Sequence, residues 1–517
     1  MTRNSHVADL SDSAGRRWLF SPFTKALFVL FLITLPIVNP WVHGDGVGYY
    51  AYAHSLLIDH NLQFENEWQA GNASFTQGRV APNGEVLASQ YTVTHHLDNH
   101  FTVGPSILWA PFLIVVHLLI CLLNALGAHI NADGFGRPYV LTMALATAGY
   151  GFCGLLLSFH LARDYVAEKW AFLAVAGYWF ASSLPVYMYL NPSWSHAHSL
   201  FTVALFLWYW HRTRAARSVR QWILLALTAA LMVNVYYLNV VWLLIPAFDA
   251  VSDYFHAFAR RRELGGRPVT TAETEATDLH VANISIGKLF VSHATFVVVF
   301  IAGMLPTLVT RKIIYGSFFS TGYPGASEWL WTHPIPGRVL FSSDHGLFSW
   351  TPILVLAVIG LLLFWRYERT LAIYFWAVCA VFFYVISCYV NWDGISSFGN
   401  RFFISLGPAF ILGLAALMDS LLRGWTSERK SFITAALVVG LFAVWNIAFI
   451  FQWGDHMIPV RGTISWRAMV YNQFCVVPVK VLDTAEAFLF HRNRLLHQIE
   501  QKDLNELHDP SRRTSHP

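Results

Sequence analysis

"KALFVLFLITLPIVNPWVHGDGVGYYAYAHSLL", residues 25–57, holds no charged side chain between Ala26 and Val42 and then meets an acid, Asp45, almost at once. A run of that length suits a helix crossing about 30 Å of hydrocarbon at about 1.5 Å per residue. The polar residues ahead of it, "MTRNSHVADLSDSAGRRWLFSPFTK", are too many for a secretory signal, and no small-residue cleavage site follows the run, so it is expected to remain as an anchor. The rest of the chain has the same character. Of 517 residues, 55% are hydrophobic and 16% aromatic, and only 12% are charged, roughly half the charge of a soluble domain. The net charge of +4 is small and scattered, which argues against nucleic acid as a partner. Five cysteines, Cys121, Cys153, Cys379, Cys388 and Cys475, form no CxxC pair; they are expected to be small core residues.

Apolar stretches near residues 25–43, 105–127, 138–161, 170–190, 196–211, 221–257, 288–310, 346–365, 370–390, 402–422 and 431–453 predict an all-α, polytopic integral membrane protein with about 10–12 transmembrane helices. Basic loops mark the cytoplasmic side: "HRTRAARSVR" (211–220), "ARRRELGGR" (259–267), "RYER" (366–369) and "RGWTSERK" (423–430). For 211–220 to fall inside, 221–257 must be two segments broken at "NVYYLN" (234–239), and 105–127 must enter and leave on the outer side or lie along it. Residues 1–24 are then a cytoplasmic N-terminus, 258–287 a cytoplasmic linker, 25–455 the membrane domain, and 456–517 an amphipathic, charged tail, outside and loose at its end. No internal repeat or inverted symmetry of broken helices marks a secondary transporter.

The outer loops, 44–104, 191–199, 311–346 and 391–401, carry the unusual polar chemistry. "VGYYAYAHSLLIDH" has apolar residues at helical spacing and predicts an amphipathic surface helix. Asp45 stands ahead of it, placed either to cap the helix or to act as a general base at the water boundary. Arg311 and Lys312 are cations at an outer helix end, where a phosphate would suit them.

The segment "HGDGVGYYAYAHSLL" resembles the first outer loop of the GT-C superfamily of polyprenyl-phosphate-dependent glycosyltransferases, the group that includes protein O-mannosyltransferases and aminoarabinose transferases. Four further stretches are similar to bacterial members: "VGPSILWAPFLI" (103–114), "IYGSFFSTGYPG" (314–325), "DHGLFSWTPILVLAVIGLL" (344–362) and "NWDGISSFGNRFFISLGPAFILGLA" (391–415). The resemblance implies a transferase that moves a sugar, with inversion, from a lipid-phosphate donor to a glycan, lipid or protein acceptor. Its site would lie on the periplasmic face of a bacterial inner membrane. Asp45 then matches the catalytic acid.

A leaving phosphate needs a metal or fixed cations to take up its developing charge, and Lys312, Arg338 and Arg401 are the candidates. Asp393, Tyr323, His196 and His198 are further candidate substrate contacts. Relatives often carry a second acid where this chain has Gly46. A divalent metal would have to come from His196 and His198 with His95, His96 and His100. Other readings are a transporter or flippase of a lipid-linked sugar, with Asp249, Asp253 and Asp419 as inner-half acids, and a non-catalytic relative.

Overall fold

The computed structural model describes residues 21–263, 286–323, 328–425, 427–459 and 462–508. Most of the linker and the extreme termini lie outside the described residues. The chain is all-α; three isolated bridges are the only β pairing among the described residues. The long helices are α1 Pro22–Thr34, α2 Asp45–His54, α3 Gly104–Ala125, α4 Arg137–Ala162, α5 Glu168–Phe180, α6 His196–Thr213, α7 Val219–Val235, α8 Leu244–Glu263, α9 Ile286–Gly303, α10 Ile353–Leu363, α11 Arg369–Ser387, α12 Gly407–Leu422, α13 Glu428–Gly454, α14 Val477–Phe490 and α15 Arg492–His508. Seven of the described helices, with the short turns that extend them, are long and apolar enough to cross a membrane, and Pro22–Ile37, Val219–Val235 and Ile353–Arg366 are shorter apolar helices. The protein is an integral membrane protein by these elements.

Local chemistry sets the breaks. Ser21 accepts from the Thr24 N–H and Pro22 opens α1, a start that uses a position where the missing N–H costs nothing. A reciprocal Ser218–Gln221 capping box starts α7. The apolar stretch 221–257 divides at Tyr236, which leaves helical geometry for an extended one, as the parity argument requires. Helices α10 and α12 cross so closely that a Cβ on Gly360 would lie 1.9 Å from the Gly413 carbonyl oxygen, and one on Gly413 2.1 Å from that of Ala357. Small residues admit such backbone contact where apolar burial alone cannot drive helices together.

Contacts sort the loops to two ends. At one end His211 and Arg212 reach Asp164, at 3.4 Å each, Lys169 pairs with Glu428, and Tyr367 donates to Asp419. The basic loops 211–220, 366–369 and 423–430 lie here, while 259–267 falls partly outside the described residues. At the other end the Asn39 N–H donates to the Tyr189 carbonyl, Trp194 Nε1 to the His43 carbonyl, Thr102 to the Val235 carbonyl and Asn234 to that of Gly303.

Helix α3 has both ends tied to the first long loop. Ser106 donates to the Tyr49 carbonyl. Beyond its C-terminus Asn124 holds Ile130, and Tyr50 and His54 hold Gly134 and Asp133. The helix is also long and apolar enough to cross a membrane.

Three expectations fail. Helix α2 is buried all round from Gly46 to His54, so it is no surface amphipath: Tyr50 and Tyr52 donate to the Gly134 and Asn99 carbonyls, and their hydroxyls are satisfied inside. Cys121, Cys153 and Cys475 are exposed, so they are not core residues. The tail is not loose through residue 508. Helix α15 docks on the end of the first apolar run and on the first loop: Arg492 donates to the Val38 and Pro36 carbonyls at 2.7 and 2.9 Å, and Glu500 accepts from the Ser74 N–H at 2.6 Å.

Candidate functional site

A cavity of about 1050 Å³ opens where the first loop, the 391–401 loop, α13 and the tail helices meet. One wall is apolar, built from Leu441, Val444 and Ile447 of α13 and Phe474, Val481 and Phe488 of the tail. The opposite end holds Asp45, Arg401, Arg79, His43 and Trp194.

Gly44, at φ +54, is the residue that precedes α2, and no side chain caps that helix. Asp45 is therefore the first helical residue and does not spend its carboxylate as a cap. Its Oδ2 accepts from Arg401 Nη1 at 2.6 Å, with Asp45 a third exposed. Arg401 lies over the Trp194 ring at 4.3 Å, and its Nε is buried without a hydrogen-bond partner. The guanidinium thus fixes the carboxylate and keeps donors in reserve for another anion. Arg79, anchored by a 2.7 Å bond from Nη1 to the Phe75 carbonyl, adds a second cation to the same cavity.

Gly46 has a steric reason. A Cβ there would fall 1.9 Å from Ser193 Oγ and 2.5 Å from Ser193 Cβ, so the second acid of the GT-C pattern has no room. Gly46→Ala should displace α2 from the 191–195 loop and destabilise the protein by about 1–3 kcal/mol, the usual range for overpacking. Adding Ser193→Gly should restore most of the loss in thermal unfolding; an unchanged melting temperature in the single variant would contradict the contact.

The remaining candidates scatter. Lys312 Nζ donates to the Gly316 carbonyl at 2.7 Å and closes its own helix end, while Arg338 sits in the short helix Pro336–Phe341; neither lines the cavity. Arg311 is buried and donates to the Asn99, His100 and Phe101 carbonyls and to Tyr237. Its charge is solvated by backbone oxygens, which makes it a clamp on 99–101 and leaves it no role as a phosphate ligand. Asp393 Oδ1 accepts the Ile395 N–H in a turn whose Gly394 has φ +74; Gly394 and Ile395 line the cavity, and Asp393 itself is buried behind them beside Asp344 and His345. Tyr323 packs edge-on against His100, 4.9 Å between centroids, outside the cavity lining. His196 packs against Tyr187, and His198 against Trp109 and Tyr150. Among the described residues these two histidines do not converge with His95, His96 or His100 on a metal.

Sequence reasoning missed His43, Arg79, Glu500 and Asp503. His43 Nε2 lies 3.6 Å from Glu500 and 3.5 Å from Asp503, and His456 is 3.2 Å from Asp503 and 3.1 Å from Glu506. Burial pulls the His43 imidazole down, but Asp503 and Glu500 raise it to about 8; burial likewise opposes His456, which Asp503 and Glu506 lift to about 9. The signal for the tail was present in the spacing of Leu496, Ile499, Asp503 and Leu507, one stripe of α15 that lines the cavity, acid included.

No protein-family profile matches the chain. No curated protein matches it either.

Proposed function

We propose that the protein is an inverting membrane glycosyltransferase that takes a sugar from a polyprenyl-phosphate donor and passes it to an acceptor at the outer membrane face. One observation carries the reading: an acid and two arginines stand at the end of a large, mostly apolar cavity. That is the shape of a site for an amphiphile with a long apolar tail and an anionic head. The tail lies along α13 and α14, the phosphate meets Arg401 and Arg79, and Asp45 takes the proton of the attacking acceptor group. As the acceptor oxygen or nitrogen bonds to the sugar carbon, the carbon–oxygen bond to the phosphate breaks and the arginines receive the charge.

The cavity lining supports transfer over transport. It comes from the Asp45 end of the bundle, and Asp249, Asp253 and Asp419 at the other end are not part of it. Purified protein given a radiolabelled polyprenyl-phosphate sugar and an envelope extract should release the lipid phosphate and label an acceptor. Binding of the donor without any release would favour a non-catalytic relative.

The face follows from the loops. With the native cysteines replaced, a cysteine at exposed Asn83 should react with an impermeant maleimide applied to intact spheroplasts of a bacterial host, and one at exposed Arg214 should react only after lysis. The reverse pattern would place the cavity on the cytoplasmic side.

A further inference from the structure

We propose that His43, Glu500 and Asp503 bind a zinc-class divalent cation that staples helix α15 to the loop carrying Asp45. His43 lies more than four hundred residues from Glu500 and Asp503, which sit one turn apart on α15, yet a ligand atom from each of the three lies within 4.8 Å of the others. Two buried histidine–carboxylate pairs elsewhere are closer, while the partly exposed His211–Asp164 pair, at 3.4 Å, is spaced much as His43 is. His54 Nδ1 stands 2.8 Å from Glu67, and His456 Nδ1 3.1 Å from Glu506, both within hydrogen-bond range. His43 Nε2 stands 3.5 Å from Asp503 and 3.6 Å from Glu500, and neither of its ring nitrogens, both closed off from solvent, has a hydrogen-bond partner. A tetrahedral ion with bonds of about 2.0–2.1 Å separates neighbouring donor atoms by about 3.4 Å. The gap is too wide for a good hydrogen bond and fits a metal edge.

The surroundings hold the donors in place, as metal ligands require. Glu500 is fixed by the Ser74 N–H at 2.6 Å and by Asn72 Nδ2 at 3.0 and 3.1 Å, and the same Asn72 accepts from the Gly44 N–H at 3.0 Å. Asp503 offers one oxygen to His43 and the other to His456 Nε2, 3.2 Å away. One imidazole and two carboxylates leave a fourth position for water, and His43 and Asp503 both line the cavity, so that position opens toward it. Imidazole with carboxylate suits zinc and its neighbours more than calcium or magnesium. The ion would pin the tail wall of the cavity two residues from Asp45, whatever reaction the cavity serves.

The test uses the full chain in detergent, stripped with a chelator, dialysed and titrated with zinc chloride, with metal per chain measured by mass spectrometry. One zinc per chain is expected, with affinity lowered at least about 100-fold, beyond the range for outer-shell partners, in His43→Gln, Glu500→Gln and Asp503→Asn. Asp59→Asn, in the separate His54–Asp59–Glu67 cluster, should bind as the parent does. Trypsin cleavage after Arg494 and Lys502 should slow with zinc in the parent and not in the three variants. Should the variants fail to fold, cobalt uptake by the stripped parent decides, because a four-coordinate His/carboxylate site gives an intense visible spectrum. No zinc or cobalt uptake by the parent, or full zinc affinity in the folded variants, would overturn the site. None of these readouts involves sugar transfer.

Discussion

Asp45→Asn should lower sugar transfer by about 100-fold or more while leaving the folded protein intact. Asparagine keeps the size of aspartate, and its carbonyl oxygen can still accept from Arg401 Nη1, the bond that measures 2.6 Å in the native protein. What it loses is the ability to take a proton at neutral pH. A capping role would have predicted something else, a loss of helix stability of roughly 1 kcal/mol in Asp45→Ala with turnover intact. The geometry removes that expectation, because Gly44 precedes the helix and no side chain caps it. Thermal unfolding of the Asn variant in detergent should therefore stay near the parent's, the Ala variant should lose stability because it strips the buried Arg401 of its carboxylate partner, and transfer should fail in both. Full transfer by Asp45→Asn, with donor and acceptor saturating, would end the catalytic assignment.

Arg401→Ala should cut kcat/KM for the phosphate-linked donor by about 100-fold or more, the scale on which removing a preorganised charge-stabilising donor acts. Three contacts go at once: the bond to Asp45, the stack on Trp194 at 4.3 Å, and the unpartnered buried Nε that the phosphate would engage. Arg401→Lys separates these. It keeps the charge but cannot hold the carboxylate and a phosphate oxygen through one planar group, so it should recover only part of the loss. The loss should also be less than additive with Asp45→Asn, since the two residues act as a pair. Activity is measured with the donor varied at saturating acceptor. An unchanged donor dependence in Arg401→Ala, with the protein folded, would remove Arg401 from the site.

Much of the architecture was legible along the chain because hydrocarbon tolerates few backbone solutions. The division of 221–257 at its polar middle followed from counting arginines in short loops. The buried state of α2 was not legible. His54 and Asp59 interrupt its apolar spacing and suggest a surface helix, and only the carbonyls of Asn99, Asp133 and Gly134, brought in from distant segments, satisfy His54 and the tyrosine hydroxyls inside the core. Arg311 failed for the same reason: the sequence shows a cation at a helix end, and the three carbonyls that consume it come from residues 99–101.

The sequence by itself determined that this is a helical membrane protein, and its basic loops led to the expectation that Asp45 and the polar 391–401 loop share the end opposite to them. Those are consequences of local composition, which every residue carries with it. The partners of Asp45 were decided only in three dimensions. Arg401 is 356 residues away, and Lys312 and Arg338 offered the same charge at the same end. The choice among them rests on which helix ends α2 meets when it packs, as does the choice of α15 to wall the cavity through Glu500 and Asp503. Charge can be read one residue at a time; distance between charges is a property of the packed bundle.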